Sequence, residues 1–183
     1  MKGIATLLAA VLCIGGAPTA NAQTAEETAH AFYSWVLAHP WRAIPAPKER
    51  AQLSKLLSPE LSRLLQAAAD MEARCVKAAP KDEKPWIIEG DLFVGNLEGA
   101  SEVAYGESHS EGDAVVVDVD LMYVDRRFPK AHKHRTVAWK DALELRQDSG
   151  HWRVADVRFA GGRSLQRQLQ SYLVDGTRSC APQ

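Results

Sequence analysis

Residues Arg126, Arg127, Phe128, Lys130, His132, Lys133, His134 and Arg135 crowd five fixed cations, two imidazoles and one aromatic ring into one short segment. His132-x-His134 has the spacing of a metal pair, because alternate residues of a strand share a face. Zinc needs three or four protein ligands, and no third is nearby. Lys130, Lys133 and Arg135 would also repel a cation, so no metal site and no cofactor is expected. The same residues suit contact with another protein. Arginine and aromatic side chains concentrate at the centres of protein interfaces. If Phe128-Pro129 is the tip of a hairpin, that tip is basic and carries an exposed ring. The competing reading is a solvated hairpin that keeps a sheet edge from pairing.

Other candidates for chemistry are weaker. Asp118 and Asp120 could form a general acid–base pair, but they sit opposite the valine face of their strand and should point to solvent. A working carboxylate would face a pocket, where burial raises its pKa. Glu102, Glu107, Glu111, Asp113, Asp118 and Asp120 are expected to form an acidic outer patch or to pair across the sheet. There is no Gly-x-Ser-x-Gly elbow, no phosphate-binding glycine loop and no His-Glu-x-x-His. The expectation is a protein without catalytic activity.

The chain has 183 residues with 22 basic and 23 acidic side chains, a net charge of −1. That balance gives no global field to draw nucleic acid or anionic lipid. Met1 to Ala22 has a basic start, an apolar run from Ile4 to Ile14 and a small-x-small site at Ala20-Asn21-Ala22. This is the pattern of a secretory signal peptide cleaved after Ala22. Cys13 is preceded by Leu12, not by the small residue a lipidation site needs, so no membrane anchor is expected. The reading is a periplasmic protein with one domain over residues 23–183. In an oxidising compartment the cysteines that remain, Cys75 and Cys180, are expected to pair. The compartment also argues against a nucleic-acid partner for the basic segment.

The elements that would position these groups follow from periodicity. Thr24 and Glu27 have capping-box spacing ahead of Ala25, Ala29, Phe32 and Val36, a helix ended by Pro40. Trp41 to Pro47 is a proline-broken connection, and Lys48 to Leu57 a short helix. Ser58-Pro59-Glu60 starts a third helix with Leu61, Leu64, Leu65, Ala68, Met71 and Cys75 on one face. After a charged linker from Ala78 to Pro85 the period becomes two. Strands are expected over Ser101–His109, around Val115–Tyr123, over His132–Gln147 with a bulge near Lys140-Asp141, and over Trp152–Phe159. A last helix is capped by Ser164 and closed by Gly176. Trp35, Trp86, Trp139 and Trp152 are expected in the core or at its rim, the alternative being aromatics that line a concave sheet and hold an apolar ligand. Helices followed by an antiparallel meander and one helix mean an α+β fold, N-terminal helices packed on a curved, cone-like sheet.

Phe32-Tyr33-x-Trp35-x-Leu37, Leu57-Ser58-Pro59-Glu60-Leu61, Asp91-Leu92-Phe93 and Trp152-Arg153-Val154-x-Asp156-Val157 together resemble a bacterial family of secreted proteins and lipoproteins of unassigned function. The resemblance implies the nuclear-transport-factor-like cone fold. By looser analogy it implies an immunity protein that plugs a peptidoglycan-cleaving toxin of type VI secretion. The leading expectation is therefore a periplasmic protein-binding module whose partner is a cell-wall hydrolase. The alternatives are a small-molecule carrier or enzyme using the hollow of the cone, and an envelope homodimer.

Overall fold

In the computed structural model, which describes residues 23–40 and 43–180, four helices pack on a five-stranded antiparallel sheet. The leader expected over Met1 to Ala22, with Cys13 and its cleavage site, lies outside the described residues, as does part of the Trp41–Pro47 connection. Helix α1 spans Ala25–Ala38. The Thr24 hydroxyl accepts from the Glu27 amide at 3.1 Å, and the Glu27 carboxylate accepts from the Thr24 amide at 2.9 Å, which completes the capping box. Phe32, Tyr33 and Val36 of α1 are buried.

Helix α2 spans Pro47–Leu53 and α3 spans Pro59–Ala78. The expected α2 is cut short at Leu53 because the next residues join the sheet. Ser58 N–H donates to the Val154 carbonyl and Val154 N–H to the Leu56 carbonyl, both at 2.8 Å. This pairing covers an edge that would otherwise be open to another strand. Ser58 Oγ then accepts from the Leu61 amide and starts α3.

The sheet runs β1 (Glu102–Glu111), β2 (Ala114–Val124), β3 (Thr136–Asp148), β4 (His151–Phe159) and β5 (Arg163–Ser164), with neighbours in that order. Its inward face supplies Val117, Val119, Leu121, Leu143, Leu145, Val154 and Val157 to one core shared with α1, α3 and α4 (Leu165–Ser179). Period-two alternation in β2 puts the valines on that face. The α+β architecture follows the expected order of elements.

Three details differ from expectation. β3 starts at Thr136, so His132 and His134 precede the strand. The β2–β3 register is unbroken from Ala114↔Arg146 to Val124↔Thr136, with no bulge at Lys140-Asp141. The shifts fall instead between Tyr105 and Ser108 of β1, and between Glu144 and Leu145 of β3. Alternation slips at Asp141 because that carboxylate faces inward. Gly176 lies inside α4 and does not end it. A Cβ there would sit 2.8 Å from Met71 Cγ, so the missing side chain lets α4 lie close against α3.

The far ends of those two helices are joined covalently. Cys75 of α3 is bonded to Cys180 at the C-cap of α4, across a separation of 105 residues. No helix among the described residues is long and apolar enough to cross a membrane. For a loop of about 100 residues, chain entropy places the bridge's contribution at about 4–5 kcal/mol before strain. Replacing both cysteines, Cys75→Ser with Cys180→Ser, is expected to lower the unfolding free energy by about 2–5 kcal/mol in urea titration. An unchanged midpoint would contradict a structural role for the bridge.

Candidate functional site

The connection from β2 to β3, residues 125–135, carries the whole basic segment from Arg126 to Arg135, with Phe128. Its base is closed by Asp125 N–H donating to the Arg135 carbonyl at 2.8 Å. Asp125 is only 7% exposed. Its Oδ1 accepts from the Arg127 amide at 2.9 Å, and the Arg127 guanidinium grips both carboxylate oxygens at 2.7 to 3.1 Å. Three further turns follow: Phe128 N–H to Asp125 O, His132 N–H to Pro129 O and Arg135 N–H to His132 O. The Arg135 guanidinium also donates to the Phe128 carbonyl.

The histidines are placed by these turns. The His132 ring stacks on Phe128, with centroids 4.3 Å apart and planes 4° from parallel. His134 N–H donates to His132 Nδ1 at 3.3 Å. The two imidazoles are tilted with centroids 5.5 Å apart, and a turn, not a strand face, sets their relation. Among the described residues no group of three or more His, Cys, Asp or Glu side chains could hold a metal ion.

The predicted set therefore divides in two. Arg127 and Arg135 fasten the loop by hydrogen bonds, Arg127 with its side chain still exposed to solvent. Arg126, Phe128, Lys130, His132, Lys133 and His134 are exposed and take no part in that fastening through a charged group. Beside the loop lies a cleft of about 790 Å³, walled by Leu37, Pro40, Ala100 and Tyr123 and rimmed by Arg126 and Arg127. The hydrogen bonds from Arg127 hold the Asp125 carboxyl down at about 2. Because the folded pKa is depressed, this carboxylate's stabilising contribution is complete above the ordinary aspartate range. It is lost only as pH falls towards 2, so the clasp is closed at neutral and mildly acidic pH.

The outer carboxylates pair across the sheet. Asp118 and Asp120 are exposed, as their positions opposite the valines require, and Asp120 meets Lys140 at 2.8 Å. Glu144 sits between Arg146 and Arg158 at 2.8 and 2.6 Å, and those arginines reach on to Asp113 and Glu111. Burial pushes the Glu144 carboxyl up, but hydrogen bonds from Arg158 and Arg146 outweigh it and the net shift is downward. The partners of these acids are the cations of β3 and β4, which leaves the loop cations outside the network.

One polar group escaped the sequence reading. Asp141 is 4% exposed and faces the core. Its Oδ2 accepts from Gly95 N–H at 2.7 Å and from Trp139 Nε1 at 3.0 Å, while Oδ1 has no hydrogen-bond partner among the described residues. A Cβ at Gly95 would lie 2.7 Å from Oδ1, so only glycine admits this approach. Burial pushes the Asp141 carboxyl up. The phenol of Tyr33, fully buried, is pushed well up by burial and then by the charge of Asp141. The broken alternation at Lys140-Asp141 was the available signal. Phe93 packs edge-on against both Phe32 and Trp35 on the α1 side of this interior. The clefts along the loop and the helices are lined by neither Asp141 nor Tyr33.

No protein-family model matches the chain, and neither a curated protein nor a solved structure is significantly similar to it.

Two outcomes follow from these carboxylates. Asp125→Ala should speed amide exchange at Arg127 and Arg135 by about tenfold or more while core amides of β2 and β3 keep their protection. Equal exchange in both proteins would show that the clasp does not hold the loop. Asp141 has a raised folded pKa, so it binds its proton more tightly folded than unfolded. Stability should fall as pH rises from the ordinary aspartate range through that raised value. Asp141→Asn removes this slope and leaves Gly95 N–H an acceptor. Identical pH profiles of thermal midpoint would contradict the assignment.

Proposed function

We propose that the protein is an exported, non-catalytic binding module that engages a protein partner through the 125–135 loop. The observation that carries this reading is how the loop's charges are divided. Arg127 and Arg135 are spent on closure, so the outward residues Arg126, Phe128, Lys130 and Lys133 are presented on a backbone already ordered. Binding then forgoes much of the ordering cost that a floppy loop would incur. An aromatic anchor ringed by cations complements a cleft that carries carboxylates. Glycan-cleaving enzymes commonly carry a pair of them at the reacting bond.

The partner in this proposal is a peptidoglycan hydrolase delivered by type VI secretion. The protein acts as its immunity factor, with the loop entering or rimming the enzyme's cleft. Its setting is the periplasm, reached by the leader at Met1 to Ala22. A Cys75–Cys180 bridge suits that oxidising compartment. The carrier or enzyme alternative draws on Asp141 and Tyr33 alone, and no described cleft is lined by either. The homodimer alternative would use the outer sheet face, where Asp120, Asp113, Glu144 and Glu111 are already paired with Lys140, Arg146 and Arg158.

The test uses purified oxidised protein as bait in a periplasmic extract, followed by assay of the bound fraction on sacculi. Retention of a wall-cleaving enzyme in an inhibited state is expected. Arg126→Ala, Phe128→Ala and Lys130→Ala together should weaken that complex by about 100-fold or more, since anchor residues dominate interface energy. Undiminished retention by the triple variant would remove the loop from the interface. If no hydrolase is captured at all, the immunity role is lost with it.

A further inference from the structure

We propose that Trp86 and one face of α4 form a second site, which binds a neutral oligosaccharide. Trp35, Trp139 and Trp152 pack against the core, whereas Trp86 lies outside it and is 40% exposed. It is nevertheless held in place. Tyr172 Oη donates to the Trp86 carbonyl at 3.2 Å, and the two rings lie 11° from parallel with centroids 6.0 Å apart. Ile88 N–H, two residues on, donates to the Glu72 carboxylate of α3. The indole is therefore a fixed platform.

Trp86 walls two clefts, one of about 600 Å³ against α4 and one of about 460 Å³ beside Cys75 and Cys180. In the larger cleft Gln168, Ser171 and Asp175 recur at helical spacing, so they share one face of α4 with Tyr172. None of the three side chains has a hydrogen-bond partner among the described residues. Across from them stand Glu89 and Arg163, and Arg167 of α4 rims the same cleft with its guanidinium donating to the Gly162 carbonyl. Glu89 is already paired with Lys84 of the second cleft, and over both clefts Glu83, Glu89 and Asp175 match Lys84, Arg163 and Arg167 in number, so neither a cation nor an anion is favoured as the ligand.

A sugar ring fits this combination. Its C–H face packs on an indole, and its edge hydroxyls pair with amide, carboxylate and guanidinium groups. A site on each side of Trp86 calls for more than one ring. A proline-rich segment could also lie on an aromatic groove, but it would leave the polar stripe of α4 unpaired.

The experiment is isothermal titration of the oxidised full-length mature protein with the β-1,4-linked tetramers of N-acetylglucosamine and of glucose. Saturable binding of at least one is expected, with a dissociation constant between about 10 µM and 1 mM. Trp86→Ala should weaken it by about tenfold or more, and Gln168→Ala with Asp175→Asn should weaken it with the Trp86 platform intact. The loop variant Arg126→Ala/Phe128→Ala/Lys130→Ala should bind the sugar normally, which separates this site from the proposed protein-binding loop. Absence of saturable heat for both tetramers up to about 10 mM would overturn the proposal. So would unchanged affinity in both sets of site variants, or Trp86-dependent binding of a proline-rich peptide with none of either sugar.

Discussion

The antiparallel ladder between β2 and β3 is the constraint on which most of the molecule depends. Its register runs without a shift from Ala114↔Arg146 to Val124↔Thr136. On the inward side it delivers Val117, Val119, Leu121, Leu143 and Leu145 to the core. On the outward side it aligns Asp120 with Lys140 and stations Glu144 and Arg146 beside Arg158. Where the ladder ends, the hydrogen bond from Asp125 to Arg135 closes the basic loop. A slip of one residue would turn every one of these side chains to the wrong face.

The helices answer a different need. The last strand of full length, β4, has a nearly open edge, and the Leu56–Ser58 segment covers it before α3 begins. From there α3 and α4 run together, close-packed where Gly176 meets Met71 and tied at their ends by Cys75 and Cys180. The same pairing of helices holds the irregular segment that carries Trp86, through Glu72 of α3 and Tyr172 of α4. The Trp86 surface therefore shares contacts with the stabilising helix pair, whereas the 125–135 loop draws on separate ones.

Much of the fold was legible because it is written in local patterns. Thr24 with Glu27, and Ser58 with Pro59, mark helix starts by chemistry that acts within one turn. The valines of β2 mark a strand by period two. What the pattern could not reveal was set by distant partners. Helix α2 stops early because Val154 offers hydrogen bonds to Leu56 and Ser58. Gly176 reads as a helix end unless Met71 is known to lie against it. Asp141 looks like a bulge until Gly95 and Trp139 are seen to satisfy one of its oxygens. In the candidate loop, composition marked out a basic segment but not the division of labour within it. Arg127 and Arg135 are clasps, and only the folded loop shows that Asp125 and the Phe128 carbonyl receive them.

The central claim is that the 125–135 loop is ordered before any partner arrives. Backbone nitrogen-15 relaxation on the free oxidised protein measures this directly. Order parameters of about 0.85 across residues 126–134, matching the adjoining strands, are expected from the clasp. Values below about 0.6 in that stretch would mean a mobile loop, and the case for a prepared binding surface would fail.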